Sequence, residues 1–154
     1  MNRKINKIAV IGSGVMGSGI ACHFANIGIE VLLLDIAPNK LNDNENKLGL
    51  SLDDKKVKNR IVNEMFQRCI KSKPAPLYHK TFSKRVELGN LTDDLSKISD
   101  VDWIIEVVTE KLNIKQIVFD QIEKFRSPGT LVTSNTSGIP IKQMNEGRSE
   151  DFRK

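Results

Sequence analysis

Short, continuous apolar runs alternate along this chain with longer stretches in which apolar positions recur every three or four residues. Lys7 to Ile11 is an apolar run that ends on glycine, and Glu30 to Asp35 encloses Val-Leu-Leu-Leu between acids. Trp103 to Val108 and Thr130 to Thr133 repeat the pattern. Unbroken rather than alternating apolarity marks strands covered on both faces, as in a parallel sheet. Residues 15–27 place Val15, Ile20, Phe24 and Ile27 at helical spacing, with Gly28 as the stop. Residues 112–125 repeat that period through Leu112, Gln116, Phe119, Ile122 and Phe125. Pro38 breaks the chain, and residues 39–73 are expected to be mostly helical and charged, ending at Lys73-Pro74-Ala75-Pro76. Arg85 to Leu88 is expected as a short strand and Thr92-Asp93-Asp94-Leu95 as a capped short helix. Ser127-Pro128-Gly129 is a turn, and Pro140 suits the first turn of a last helix. Strands alternating with helices predict an α/β fold with a mainly parallel sheet.

Composition narrows this picture. A chain of 154 residues with 39% hydrophobic residues holds one domain with a real core. No apolar run reaches the ~18 residues needed to cross a bilayer. The basic start runs straight into Ile8, but the apolar stretch breaks at Gly12 without a small-residue cleavage site, so it reads as a first strand. Cys22 and Cys69 stand far apart in different expected helices, which argues against a disulfide framework and for a cytoplasmic protein. Asn90-Leu91-Thr92 and Asn135-Thr136-Ser137 match the glycosylation pattern but come with no secretion signal. The net charge of +5 is uneven: residues 53–85 hold ten Lys and Arg against three acids. That basic segment points to an anionic partner. With one Trp, one Tyr and six Phe, the chain has little aromatic support for nucleic-acid binding.

Gly12-Ser13-Gly14-Val15-Met16-Gly17 reads G-x-G-x-x-G. The pattern alone is weak, yet here a strand precedes it, a helix starts within it, and Asp35 ends the next strand 18 residues after Gly17. Gly12 permits a tight turn, Gly14 lets a pyrophosphate approach the backbone, and Gly17 lets the helix pack close to the sheet. Free N–H groups and the helix dipole then suit phosphates. Asp35 would accept from the adenine-ribose hydroxyls and repel a 2′-phosphate, and no arginine follows it. The cofactor expected is NAD rather than NADP, bound by a Rossmann-type, doubly wound sheet.

A second cluster lies further on. Asp102-Trp103-Ile104-Ile105-Glu106-Val107-Val108-Thr109-Glu110 ends a buried strand on carboxylates, with Lys115 one turn into the next helix. Ligands of open α/β sheets sit at the carboxyl ends of the strands. Spacing alone leaves open whether Glu110 and Lys115 form a site or a surface ion pair worth little. Ser134-Asn135-Thr136-Ser137-Gly138 is likewise either a polar site or a capped turn.

Together, Gly-Ser-Gly-Val-Met-Gly-Ser-Gly-Ile-Ala, Ile-Ile-Glu-Val-Val-Thr-Glu-x4-Lys and Ser-Asn-Thr-Ser resemble the NAD-binding domain of 3-hydroxyacyl-CoA dehydrogenases. The likeness spans nearly the whole chain and is greatest to the N-terminal part of long, multidomain bacterial forms acting in fatty acid β-oxidation. It implies oxidation of an L-3-hydroxyacyl-CoA to the 3-ketoacyl form. It also implies that Glu110 and Lys115 contact the cofactor, and that Ser137 lies between nicotinamide and substrate on the reacting oxygen. It implies a helical hairpin at about 39–80 that contacts coenzyme A, with Arg68, Lys71 and Lys73 as candidates. The full enzyme is expected to be a homodimer acting on an acyl-CoA, with no nucleic-acid partner, no membrane span and no metal site.

Members of the family use a histidine in a His-Phe-Phe-Asn-Pro stretch as base, oriented by a glutamate. Neither group has a counterpart here, and His23 and His79 do not match. Residues 1–154 are therefore expected to be a Rossmann domain that stops before its final strands, without the C-terminal helical domain. Such a piece would hold the cofactor, leave a sheet edge unprotected and be inactive alone. Another hydroxyacid dehydrogenase, or a non-catalytic nucleotide-binding module, remains an alternative.

Overall fold

A computed structural model describes residues 4–153. The two ends of the 1–154 assignment lie outside them. Five strands form one parallel sheet in the order β3-β2-β1-β4-β5. They are β1 (Lys7–Ile11), β2 (Glu30–Asp35), β3 (Val86–Asn90), β4 (Trp103–Glu106) and β5 (Leu131–Ser134). The chain runs outward from β1 through α1 (Val15–Asn26) to β2 and β3. It then crosses back to β4, on the other side of β1.

The apolar runs form strands because helices cover both faces of the sheet. Ile8, Val10, Val31, Leu33 and Ile105 face α1 and α4 (Arg60–Ile70), while Ala9, Ile11, Leu32, Leu34 and Ile104 face α5 (Leu112–Phe125). Gly28 ends α1 with φ +90°, a conformation that a side chain would strain. The last described residues fold back over α5. Phe152 packs on Phe119, and Arg148 pairs with Asp120.

Three local features differ from the sequence-based expectation. The segment after β2 is broken into α2 (Asp43–Lys47), α3 (Lys55–Lys58) and α4, because Gly49 turns with φ +66° and residues 51–54 form a turn closed by the Asp54 N–H on the Ser51 carbonyl. Residues 91–94 form a turn, and the short helix, a 3-10 helix, starts one step later at Leu95. On α5 the buried stripe is Lys115, Val118, Phe119 and Ile122, while Phe125 is exposed and Gln116 is half-buried. The two cysteines, distant in sequence, meet as free thiols where α1 and α4 pack together. Burial, with the Cys69 thiol beside it, pushes the Cys22 thiol up to about 12.

The α5 stripe predicts a contrast. Ile122 is wholly buried and Ile117 is 55% exposed. Ile122→Ala should cost about 2–5 kcal/mol in urea unfolding, and Ile117→Ala within about 0.5 kcal/mol of zero. Equal losses would contradict the stripe.

Candidate functional site

The carboxyl ends of β1 and β4 mark the point where the chain order reverses, and a crevice opens there in sheets of this topology. The loop leaving β1 is held from several sides. Gly12 has φ +108°, and a Cβ on it would lie 2.7 Å from the Val107 carbonyl oxygen. A Cβ on Gly17 would lie 1.8 Å from the Gly12 carbonyl oxygen, so α1 seats directly on the loop. Gly14 is the opposite case, since a Cβ there would meet nothing within 4 Å. Gly12 and Gly17 thus stand against backbone atoms, and Gly14 stands beside open space.

Gly14 is also the N-cap of α1, and no side chain caps that end. The first turn carries no acid, and Val15 and Met16 are exposed. An uncapped helix start beside open space is suited to an anion. Asp35, at the end of β2, reaches this loop: its Oδ2 accepts from the Ser13 N–H at 2.7 Å and from the Ser13 hydroxyl. Its Oδ1 accepts from the Ile36 N–H at 2.7 Å. The buried Ser18 hydroxyl donates to the Ser13 carbonyl at 2.6 Å and braces the loop from below, a contact that the motif does not reveal.

The second cluster is built around the carboxylate that ends β4. Glu106, the last residue of β4, is fully buried, as is Lys115. Lys115 Nζ donates to both carboxylate oxygens at 2.9 and 3.0 Å. The Val108 N–H donates to Glu106 at 2.6 Å, and the Ser134 hydroxyl at the end of β5 donates to it too. Glu110 is the secondary partner of Lys115, at 3.4 Å. Its other oxygen accepts from the Thr136 hydroxyl and from the N–H groups of Ser137 and Gly138 at 3.3 and 3.2 Å. Glu110 and exposed Ser137 thus stand together at the sheet edge, while Lys115 lies beneath them.

The basic candidates Arg68, Lys71 and Lys73 are not brought to this edge. Asn59, where α4 begins, accepts from buried Asn90 at the carboxyl end of β3. Beyond the far end of α4, the Pro76 carbonyl and the Tyr78 N–H bond Asn26, the last residue of α1. Eleven helical residues span roughly 16 Å, which sets Arg68, Lys71 and Lys73 toward the amino edge of the sheet. The carboxyl side instead holds Lys55, Lys56 and Lys58, the last paired with Asp93 just past β3, and Arg60, paired with Glu45. Helix direction makes the difference.

These features define a dinucleotide-binding sheet of the Rossmann type. Residues 7–153 match the family described as 3-hydroxyacyl-CoA dehydrogenase, NAD binding domain, and the chain belongs to that family. A probable 3-hydroxyacyl-CoA dehydrogenase of Bacillus subtilis (strain 168) is 50% identical over 99% of this chain and 19% of its own length. One from Deinococcus radiodurans is 42% identical over 98% of this chain and 40% of its own length. A solved 3-hydroxybutyryl-CoA dehydrogenase from Escherichia coli K12 superposes with a TM-score of 0.63 at 28% identity, covering 97% of this chain and 28% of that one. The chain thus spans between about a fifth and two fifths of the length of these relatives. Among the described residues, no helix is long and apolar enough to cross a membrane.

Thr136, then the Gly138 N–H and Lys115, hold the Glu110 carboxyl down at about 2 against an ordinary 4.5. A depressed carboxyl stabilises the fold above its unfolded value, and the effect is lost as pH falls through the folded one. The melting temperature of Glu110→Gln should therefore trail that of the unaltered chain by a constant amount above about pH 5, with the gap closing toward pH 2. A gap independent of pH would show that Glu110 is not held ionised by these contacts.

Proposed function

We propose that this chain is the NAD-holding part of an L-3-hydroxyacyl-CoA dehydrogenase, the whole enzyme oxidising a 3-hydroxyacyl-CoA to its 3-ketoacyl form. The observation that carries the reading is the paired geometry of Gly14 and Gly17. One faces open space at an uncapped helix start, and the other is pressed against the loop backbone. NAD, when bound, supplies the hydride acceptor. In this reading the N–H groups of residues 14–17 hold its pyrophosphate, and Asp35 accepts from the adenine-ribose hydroxyls. Glu110 orients the nicotinamide end with Lys115 supporting it from below, and Ser137 donates a hydrogen bond to the substrate oxygen at the reacting carbon. The coenzyme A phosphates would meet exposed Lys55 and Lys56, at the carboxyl side of the insertion, rather than Arg68, Lys71 and Lys73. The family likeness extends the proposal to a cytoplasmic homodimer, with the base supplied outside these 154 residues.

Calorimetric titration tests the cofactor half. Gly14→Ala should leave unfolding within about 0.5 kcal/mol of the unaltered chain yet weaken NAD at least about tenfold. Gly17→Ala should lower stability by about 1–3 kcal/mol as well. Unchanged NAD affinity in Gly14→Ala, or equal affinity for NADP, would refute the reading. The 154-residue chain should show no NAD reduction with 3-hydroxyacyl-CoA.

The coenzyme A half has its own test, in low salt where phosphate contacts are strongest. Lys55→Glu with Lys56→Glu should weaken CoA binding several-fold more than Arg68→Glu with Lys71→Glu. The reverse order would return the phosphate site to the far end of α4.

A further inference from the structure

Glu106 and Lys115 have no hydrogen-bonding capacity left for a ligand. The carboxylate takes two bonds from Lys115, one from the Val108 N–H and one from the Ser134 hydroxyl, which fills its acceptor positions. The ammonium, fully buried, also faces the Val108 carbonyl at 3.3 Å and Glu110 at 3.4 Å. Burying such a pair costs desolvation that an apolar pair of the same shape avoids, so stability alone does not account for it.

What the pair does is connect. Its partners lie on four separate pieces of chain: the end of β4, the loop that follows it, the first turn of α5, and the end of β5. The two loops leaving β4 and β5 carry Glu110 and Ser137. Glu110 ties them together a second time, nearer the surface, through Thr136, Ser137 and Gly138. Among the described residues, Lys115 is the one cation touching both carboxylates.

We infer that Glu106 is a positioning residue: through Lys115 and Ser134 it sets the spacing of the two loops that present Glu110 and Ser137 to the cleft. The role presupposes the NAD reading proposed above. Without the charge of Glu106, Lys115 turns its donors to Glu110 and draws that carboxylate off residues 136–138. The nicotinamide end of the site then loses its shape, while the glycine loop and Asp35, on the β1–β2 side, keep theirs.

The test compares two nucleotides on the 154-residue chain. ADP engages only the glycine loop and Asp35, whereas NAD also reaches the second cluster. Glu106→Gln should raise the NAD dissociation constant about tenfold while changing that of ADP less than about twofold. Amide exchange at Ser137 and Gly138, read without nucleotide, should accelerate by about tenfold. Glu106→Gln combined with Lys115→Met removes both charges and should recover the melting temperature without recovering NAD affinity. If Glu106→Gln does not fold, Ser134→Ala removes a single bond and should weaken NAD about threefold with ADP unchanged. Parallel loss of NAD and ADP, unchanged NAD affinity, or full recovery in the double variant would overturn the assignment. A wild-type chain that binds neither nucleotide removes the cofactor reading itself, and this role with it.

Discussion

Where the backbone of Gly17 passes the carbonyl of Gly12, a methyl group would stand 1.8 Å from the oxygen, and the cofactor end of the molecule depends on that group being absent. The close approach fixes the start of α1 over the end of β1. The helix start so placed has no side-chain cap, and beside it Gly14 leaves open space. Ser18 and Asp35 then clamp Ser13 from two directions, so the loop between these glycines is shaped before any ligand arrives. Preorganisation of this kind lowers the cost of ordering on binding.

The other side of the crevice is organised by charge instead of by the lack of side chains. A buried carboxylate and ammonium stand beneath, and a half-exposed carboxylate stands above. In low dielectric each of these groups is costly to leave unpartnered, so a change at one is felt by its neighbours. The glycine loop is stiff because it is crowded. The β4–β5 loops are stiff because their polar groups are mutually satisfied.

Much of this was legible in the sequence because it is local. Gly12, Gly14 and Gly17 act within six residues, and Asp35 follows at the end of the next apolar run, so the pattern and its context predicted both the loop and its place in a parallel sheet. The apolar runs at 7–11 and 30–35 form β1 and β2, and the run at 103–108 forms β4 through Glu106, for the same reason. Glu106 was hidden because a charge inside an apolar strand has meaning only once α5 brings Lys115 over it. The pairing of Glu110 with Lys115 was read from spacing, but Lys115 leans toward the deeper carboxylate. Arg68, Lys71 and Lys73 follow from the family likeness laid over the basic stretch, and neither says which end of a helix meets which edge of the sheet.

The place of β1 in the sheet has a consequence for how the chain is made. It lies between β2 and β4, with Ile8 beside Val31 on one side and Trp103 on the other. On a ribosome adding roughly 5–20 residues per second, β2 emerges within a few seconds of β1, whereas β4 follows only after roughly 5–20 s. Through that interval one edge of a strand that is apolar from Ile8 to Ile11 has no partner. The nascent chain therefore needs shelter from self-association longest at the strand that later supports the cofactor loop.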